Sequence, residues 1–119
     1  MTIDKDNECV TLLRAEIIAQ LNDQLRKSCE GGTVVITRNV RSLDGFNARE
    51  LVTSLANYNG FDEDNNPHGE RDMGDFKLFN TDLYFKIDYY DLDLKFGSDD
   101  PADISITHRV LTIMTEADL

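Results

Sequence analysis

The sequence predicts an α+β fold, in which a small antiparallel or mixed sheet of about three strands is covered by about three helices. Apolar residues near the N terminus recur at helical spacing, a short β-branched run follows them, and two alternating segments lie in the second half of the chain. With 119 residues, 40% of them hydrophobic, the chain can bury a core as a single domain over residues 1–119. The strand order stays open.

The first predicted element is a helix over residues 9–28. Cys9 and Cys29 lie twenty positions apart at its two ends, so about 30 Å of helix would separate them, whereas a disulfide tolerates roughly 7 Å between Cα atoms. We therefore expect both cysteines to be free thiols. The apolar face of this helix consists of residues three or four positions apart: Val10, Leu13, Ile17, Ile18, Leu21 and Leu25.

A strand, a second helix and a long loop are expected next. The run from Thr33 to Thr37 is β-branched at every position, which favours an extended strand. A helical pattern over residues 44–58 follows, and polar residues with Gly60 end it. Residues 59–74 are polar and acidic, which predicts a surface loop, and long loops in compact domains are usually functional or disordered.

Two alternating segments predict a β-hairpin. Residues 75–79 and 83–89 flank the turn-like residues 80–82. Alternation along a strand points successive side chains to opposite faces of the sheet. One face of the second strand would carry Leu83, Phe85, Ile87 and Tyr89, and the other would carry Tyr84, Lys86, Asp88 and Tyr90.

A third helix is predicted to start at Asp100 and to continue to residue 114. An aspartate cap followed by a proline, here Pro101, is a common helix start. The β-branched residues between positions 104 and 113 leave a strand as the alternative for this segment.

Negative charge is concentrated in the middle of the chain. The whole chain has 23 acidic and 12 basic residues, a formal net charge of -11, and residues 61–103 alone carry thirteen acids against four bases. This charge would repel a phosphate backbone, so we expect no direct binding of nucleic acid. The sequence has no apolar stretch long enough to span a membrane and no secretory pattern at its start, so we expect a cytoplasmic protein and no membrane partner.

Part of the acidic loop is similar to a calcium-binding loop. Asp62, Asp64 and Asn66 match the first three ligand positions of an EF-hand. Pro67 and Met73 stand where the motif has its turn glycine and its closing glutamate. The sequence therefore does not predict an EF-hand, and an irregular divalent site remains an alternative.

The next residues of the loop could serve a metal or a structural network. His68, Glu70 and Asp72 offer one imidazole and two carboxylates, and with Asp88 they could hold a divalent ion. Arg71 lies among these acids, which favours the plainer interpretation of a structural ion-pair network that fixes the loop.

Several ordered motifs resemble those of a family of short bacterial proteins of unknown function, often carried on plasmids and other mobile DNA. They are residues 31–38, 65–74, 85–91, and 100–103 with 109–114, and the resemblance covers roughly residues 17–114. Family members commonly read Asp-Pro-His-Gly-Glu-His-Asp-Phe-Gly in the central motif, where this chain has Asn66, Arg71 and Met73 in place of the first Asp, the second His and the Phe. The resemblance implies no catalytic activity, and it points to the acidic loop and residues 86–91 as the functional region.

The first functional hypothesis is a non-enzymatic binding protein that presents its acidic surface to a basic protein. In its sharpest form the protein mimics nucleic acid and inhibits a host nucleic-acid-binding defence enzyme, and it needs no cofactor. The expected binding residues are carboxylates with two tyrosine anchors: Asp62, Glu63, Asp64, Glu70, Asp72, Tyr84, Asp88, Tyr90, Asp91 and Asp93.

Two alternative hypotheses remain. The first is a divalent-metal-binding domain or a metal-assisted hydrolase that uses His68, Glu70, Asp72 and Asp88. The second is self-association through exposed aromatic side chains, namely Tyr84, Tyr89 and Tyr90.

Overall fold

The computed structural model describes residues 3–119, with side chains from residue 13 onward. Among these residues, none of the helices combines the length and the apolar character that a membrane crossing requires. The elements in chain order are α1 (Ile3–Ser28), β1 (Gly32–Ile36), α2 (Arg38–Arg41), α3 (Ala48–Ala56), β2 (Met73–Leu78), β3 (Thr81–Tyr90), β4 (His108–Thr115) and a short 3₁₀ helix (Glu116–Asp118).

The strands of the described residues form one mixed sheet in the order β1-β4-β3-β2. β1 lies parallel to β4, whereas β3 pairs antiparallel with both β4 and β2. The predicted α+β class is confirmed. The sheet has four strands where about three were expected, because the segment predicted as the last helix is β4.

β4 replaces the helix that was expected over residues 100–114. Asp100 caps a turn: its carboxylate accepts hydrogen bonds from Ala102 N at 3.1 Å and from the Arg14 guanidinium at 2.7 Å. From Thr107 to Thr115 every second residue is buried, which is the period of a strand. β-branched side chains pack well on a pleated surface, so the strand alternative is the correct one.

The core lies between one face of the sheet and the helices. Leu25 of α1 and the α3 residues Leu51 and Leu55 pack against the inward side chains of β3 and β4. The predicted orientation of β3 is confirmed, with Leu83, Phe85 and Ile87 buried and Lys86 exposed. On the opposite face of the sheet, the side chains of β3 and β4 are exposed or half-buried.

α1 turns a different face to the core than its apolar pattern predicts. Leu25 is buried as expected, but Leu13 and Ile17 are 61% and 47% exposed. Two polar residues of α1, Asn22 and Arg26, are buried instead. The apolar stripe was wrong at Leu13 and Ile17 because polar partners from other elements surround Asn22 and Arg26.

α1 is also longer than predicted, since it spans Ile3–Ser28. The side chains of Cys9 and Val10 lie outside those that the structure describes. Cys29 is an exposed free thiol with a φ of 59°, and its amide donates to Leu25 O at 2.9 Å. A left-handed residue at this position ends the helix.

The helix expected over residues 44–58 is confined to Ala48–Ala56. Asn47 caps it, because its side chain accepts a hydrogen bond from Glu50 N at 3.0 Å. Phe46 precedes the helix and packs against the core, where its ring centroid lies 5.7 Å from that of Phe79. α2, a single turn after β1, was not expected.

The hairpin turns one residue earlier than predicted. Leu78 pairs with Thr81, so the loop consists of Phe79 and Asn80 alone, with φ values of 54° and 57°. Two successive positive φ values are typical of a type I′ turn, which matches the twist of a hairpin. β2 begins at Met73, two residues earlier than expected.

Candidate functional site

Two long connections meet at one end of the sheet. Tyr90 at the end of β3 pairs with His108 at the start of β4, and Met73 at the start of β2 pairs with Lys86 of β3. The α3–β2 connection, residues 57–72, and the β3–β4 connection, residues 91–107, therefore approach the same end. We call these two connections the acidic end, because they carry ten acids against two bases, Arg71 and Lys95.

Hydrogen bonds order the first part of the α3–β2 connection. The Asp62 carboxylate accepts from Asp64 N at 2.9 Å and from Asn65 N at 3.0 Å. The Asn65 amide donates to Tyr58 Oη at 3.2 Å. Asp62, Glu63 and Asp64 are all exposed. The loop therefore presents three consecutive carboxylates to solvent on an ordered backbone.

Arg71 ties the same connection to α1. Its guanidinium donates to both carboxylate oxygens of Asp23, at 3.1 and 2.7 Å, and lies 3.6 Å from Glu16. The backbone φ of Arg71 is 52°, a conformation that costs about 1 kcal/mol or more for a residue with a Cβ. The predicted structural role of Arg71 is confirmed, with the difference that its partners lie on α1 and not in the loop.

A buried polar network joins α1, β3, β4 and both connections. Asn22 Nδ2 donates to Tyr89 Oη at 2.8 Å and to Glu70 O at 3.0 Å, and Tyr89 Oη donates to Glu70 Oε1 at 2.8 Å. Asn22 Oδ1 accepts from Arg109 Nε at 2.9 Å, and Arg109 also donates to Pro101 O. The Arg109 guanidinium lies over the Tyr89 ring, 5.2 Å from its centroid.

Arg109 is the least solvated charge of this network. It is 2% exposed, and within the described part of the chain no carboxylate lies within ion-pair distance of it. Burial lowers the pKa of Arg109, and the fields of Tyr89 and Glu70 oppose that effect. Asn22, Pro101 and the Tyr89 ring therefore take the place of a counter-ion.

Arg26 connects α1 with the end of α3. Its Nη1 donates to three carbonyl oxygens, those of Leu55 at 3.0 Å, Ala56 at 3.2 Å and Tyr58 at 3.1 Å. Its Nη2 contacts Asp23 at 3.2 Å, while its buried Nε has no hydrogen-bond partner among the described residues. Arg26 thus satisfies carbonyls that the end of a helix leaves free.

Burial and hydrogen bonds shift the titration of the acids near this network. Burial raises the pKa of Asp72, and the charge of Glu70 raises it further. Burial also acts to raise the pKa of Asp23, but hydrogen bonds from Arg71 and Arg26 outweigh it and leave that pKa below its ordinary value. Burial raises the pKa of Tyr89, so its phenol stays a hydrogen-bond donor.

The β3–β4 connection begins with a hydrogen-bonded turn, residues 91–96. Asp91 N donates to Phe96 O at 2.8 Å, and the Asp91 carboxylate accepts from Lys95 N at 3.0 Å. Leu92, Leu94 and Phe96 are exposed on this turn.

The predicted binding residues differ in their availability. Asp88 forms an ion pair with Lys86 at 3.2 Å, and Glu70 is held by Tyr89. The exposed members of the predicted set are Asp62, Glu63, Asp64 and Asp93, and the half-buried members are Glu70, Asp72, Tyr84, Asp88, Tyr90 and Asp91.

Tyr89 was expected to be exposed for self-association, and this was wrong. The residue is on the inward face of β3, where its hydroxyl joins the buried network. Tyr84 and Tyr90 lie on the open face as predicted, each half-buried.

The side chains proposed for a metal site do not gather. Among the described residues, no three histidine, cysteine, aspartate or glutamate side chains form a group that could hold a metal ion. His68 is exposed, while Glu70 and Asp72 are half-buried at the foot of the loop. Metal binding stays a prediction from the sequence.

Sequence reasoning missed the buried network and the apolar turn. Asn22 interrupts the apolar pattern of α1, and a polar residue between apolar positions is a signal of a buried hydrogen bond. Leu92, Leu94 and Phe96 alternate with acids and lysine, a pattern typical of a half-buried strand. Only the tertiary structure shows that this segment forms a turn with exposed apolar side chains.

Comparison with known proteins places most of this structure in one family. A family model described as "Protein of unknown function (DUF3768)" matches residues 36–118. No curated protein and no solved structure matches the chain. The matched residues include β2, β3, β4 and both connections of the acidic end, whereas α1 precedes them. The resemblance to a family of unknown function is thereby confirmed, and the chain belongs to the DUF3768 family.

Proposed function

We propose that this protein is a non-enzymatic binding protein that engages a basic partner protein through its acidic end. The observation that carries the proposal is the availability of carboxylates there. Glu63, Asp64 and Asp93 are exposed, and no ion pair to a described residue neutralises them. These charges would attract a basic partner and raise the rate of association.

The backbone that carries these carboxylates is preorganised. Asp62 closes the turn that presents Glu63 and Asp64, and Asp91 closes the turn that presents Asp93. A surface ordered before binding loses less conformational entropy on association. The arrangement therefore favours recognition of a complementary surface over loose attraction.

The sharper form of the proposal is an inhibitor that imitates nucleic acid. Carboxylates on a protein surface can occupy a groove that normally holds phosphates, because both groups present oxygen acceptors with negative charge to lysine and arginine. If the chain comes from mobile DNA, as its resemblance implies, a host defence enzyme that handles nucleic acid would be a suitable target.

The first experiment identifies the partner. The tagged chain is used as bait in a lysate of the native host, at low and at moderate salt, and retained proteins are identified. The proposal expects basic nucleic-acid-handling proteins that are lost as salt rises. Recovery of no basic protein at either salt concentration contradicts it.

The second experiment removes charge at the acidic end. The variant Glu63→Gln, Asp64→Asn, Asp91→Asn, Asp93→Asn is expected to lower the association rate constant about tenfold or more at low salt and to weaken its salt dependence. Association is measured by stopped-flow fluorescence with the partner from the bait experiment.

A control variant removes the same number of charges at the opposite end of the sheet. It combines exposed residues around the β2–β3 turn and the end of β4: Asp44→Asn, Glu50→Gln, Asp82→Asn and Glu116→Gln. The control should change association far less than the acidic-end variant. Equal effects would show that net charge alone matters and would contradict a defined binding surface.

A further inference from the structure

We propose that residues 91–96, which we name the apolar tip, insert into an apolar pocket rimmed by lysine and arginine on a partner protein. This inference rests on the proposed function, because it specifies the surface of the same basic partner. It adds a hydrophobic anchor to what would otherwise be recognition by charge alone.

The tip exposes large apolar side chains at a density unusual for a surface. Leu92, Leu94 and Phe96 are 61%, 53% and 74% exposed within five consecutive residues. Single exposed apolar residues are ordinary, but a cluster surrounded by polar residues marks an interaction site. None of the three belongs to the hydrophobic core or to the partly buried side chains that pack against it.

The tip has a defined conformation. Leu94 N donates to Asp91 O at 3.1 Å, Asp91 N donates to Phe96 O at 2.8 Å, and Gly97 forms a bridge with Tyr90 of β3. Leu94 has a φ of 59°, a left-handed conformation that costs roughly 1 kcal/mol or more for leucine. Hydrogen bonds hold this strained residue in place, so its side chain is presented in one direction.

The charges around the tip select the chemistry of its partner. Asp91 precedes the apolar positions, Asp93 lies between two of them and Asp99 follows them, while Lys95 is the one base of the segment. Anionic lipid would repel this surface, and so would the acidic end of a second copy with a net charge of -11. A protein pocket with a basic rim complements both the apolar side chains and the carboxylates.

Phe96 is the expected centre of the contact. Aromatic side chains that enter a pocket carry much of the binding energy of an interface, and neighbouring contacts exclude water around them. Phe96 is the most exposed of the three apolar side chains of the tip. Leu92 and Leu94 would pack on the pocket wall, and Asp93 would face the basic rim.

The experiment places a photo-crosslinker at the tip. The chain carries p-benzoylphenylalanine in place of Phe96 or, as a control on the edge strand β2, in place of the exposed Lys77, and it is irradiated in the native host. We expect crosslinking from position 96 and not from position 77, to a peptide that contains apolar residues together with lysine or arginine. Absence of a crosslink at position 96 contradicts the proposal.

Two variants then separate the apolar and the charged contributions in calorimetry with the captured protein. Leu94→Asn with Phe96→Ser removes the apolar anchor, and asparagine tolerates the positive φ. Asp91→Asn with Asp93→Asn removes charge while the amide oxygen at position 91 can still cap Lys95 N. We expect each pair to weaken binding about tenfold or more. Binding that is insensitive to either pair contradicts the proposal.

The outcomes separate this inference from the proposed function. A basic partner that depends on the acids and not on Leu94 or Phe96 overturns the apolar tip and leaves the proposed function intact. A partner surface that is apolar without basic residues overturns both. Unfolding in urea checks the variants, and their midpoints should stay near that of the parent because Asp93, Leu94 and Phe96 are exposed and the amide that replaces the Asp91 carboxylate can still accept from Lys95 N.

Discussion

Replacing Tyr89 by phenylalanine tests the buried network directly. The substitution keeps the ring that packs against the core and under Arg109, and removes only the hydroxyl. That hydroxyl accepts from Asn22 Nδ2 at 2.8 Å and donates to Glu70 Oε1 at 2.8 Å. The change therefore isolates two hydrogen bonds.

The expected loss of stability depends on which hydrogen bonds Asn22 and Glu70 keep once the Tyr89 hydroxyl is removed. Asn22 Nδ2 keeps its bond to Glu70 O at 3.0 Å, so this nitrogen loses one of its two acceptors. The Glu70 carboxylate is half-buried and regains part of its lost bond from water. A neutral bond contributes about 1 kcal/mol and a bond to a charged group about 1.5–3, so a loss of about 2 kcal/mol in the free energy of unfolding is expected.

Tyr90→Phe is the matched control. Tyr90 is the next residue of β3, half-buried on the open face, and its hydroxyl has no hydrogen-bond partner among the described residues. Both variants are unfolded in urea and followed by circular dichroism, and the control should stay within about 0.5 kcal/mol of the parent. If the two substitutions cost the same, the hydroxyl of Tyr89 does not stabilise the network and the reasoning fails.

Three further predictions use the same urea assay. Gly74→Ala should lower the free energy of unfolding by about 1–3 kcal/mol, because a Cβ there would lie 2.6 Å from the Tyr58 ring. Gly97→Ala is the control and should be tolerated, because the atom nearest to its Cβ would be 3.9 Å away. Equal losses of stability in the two variants would contradict this reasoning. Arg26→Met should lower the free energy of unfolding by about 3 kcal/mol, because it leaves carbonyl oxygens of α3 without a hydrogen-bond donor. An unchanged free energy of unfolding would show that water takes over as the donor. Asp72→Asn should stabilise the protein at neutral pH, because the folded state raises the pKa of Asp72 and thus penalises its ionised form. The gain should shrink as the pH falls through that raised pKa and vanish below the ordinary value of 3.8, and a gain that persists there would refute the titration of Asp72 as its cause.

The hairpin was predictable because the sequence pattern that determines it lies within its own residues. Leu83, Phe85 and Ile87 alternate with polar residues, and alternation alone decides which face is buried. The turn was misplaced by one residue because the sequence Phe79-Asn80 has no glycine, so the two left-handed residues could not be recognised from composition.

The segment of β4 was predicted first as a helix, with a strand as the alternative, because local and tertiary signals disagree. Asp100 and Pro101 have the sequence of a helix start, but the Asp100 carboxylate binds the Arg14 guanidinium of α1 and closes a turn. β4 lies at the centre of the sheet, where it pairs with β1 and β3 at once. The pairing with β1 joins residues more than seventy positions apart, so no window of sequence reveals it.

The acids of the candidate site were named from sequence, but their environments were not. Composition identifies Asp62 and Glu70 alike as loop carboxylates, whereas the structure exposes the first and ties the second to Tyr89. Asn22 and Asp23, which hold the loop, are contributed by a helix some fifty positions away. These partners reach the loop only through the packing of α1, so a local sequence motif cannot identify them.

The fold makes the acidic end more negative than its composition suggests. Residues 61–103 contain four bases, but Arg71 is turned inward to Asp23 of α1, and Lys86 is paired with Asp88. Arg109, although at the start of β4 beside this end, is buried in the network. Of the two bases of the acidic end, Arg71 thus holds the α3–β2 connection against α1, whereas Lys95 is exposed. The contact that fixes the α3–β2 connection therefore leaves outer acids such as Glu63, Asp64 and Asp93 without an ion pair to a described residue, and the proposed recognition of a basic surface depends on such free carboxylates.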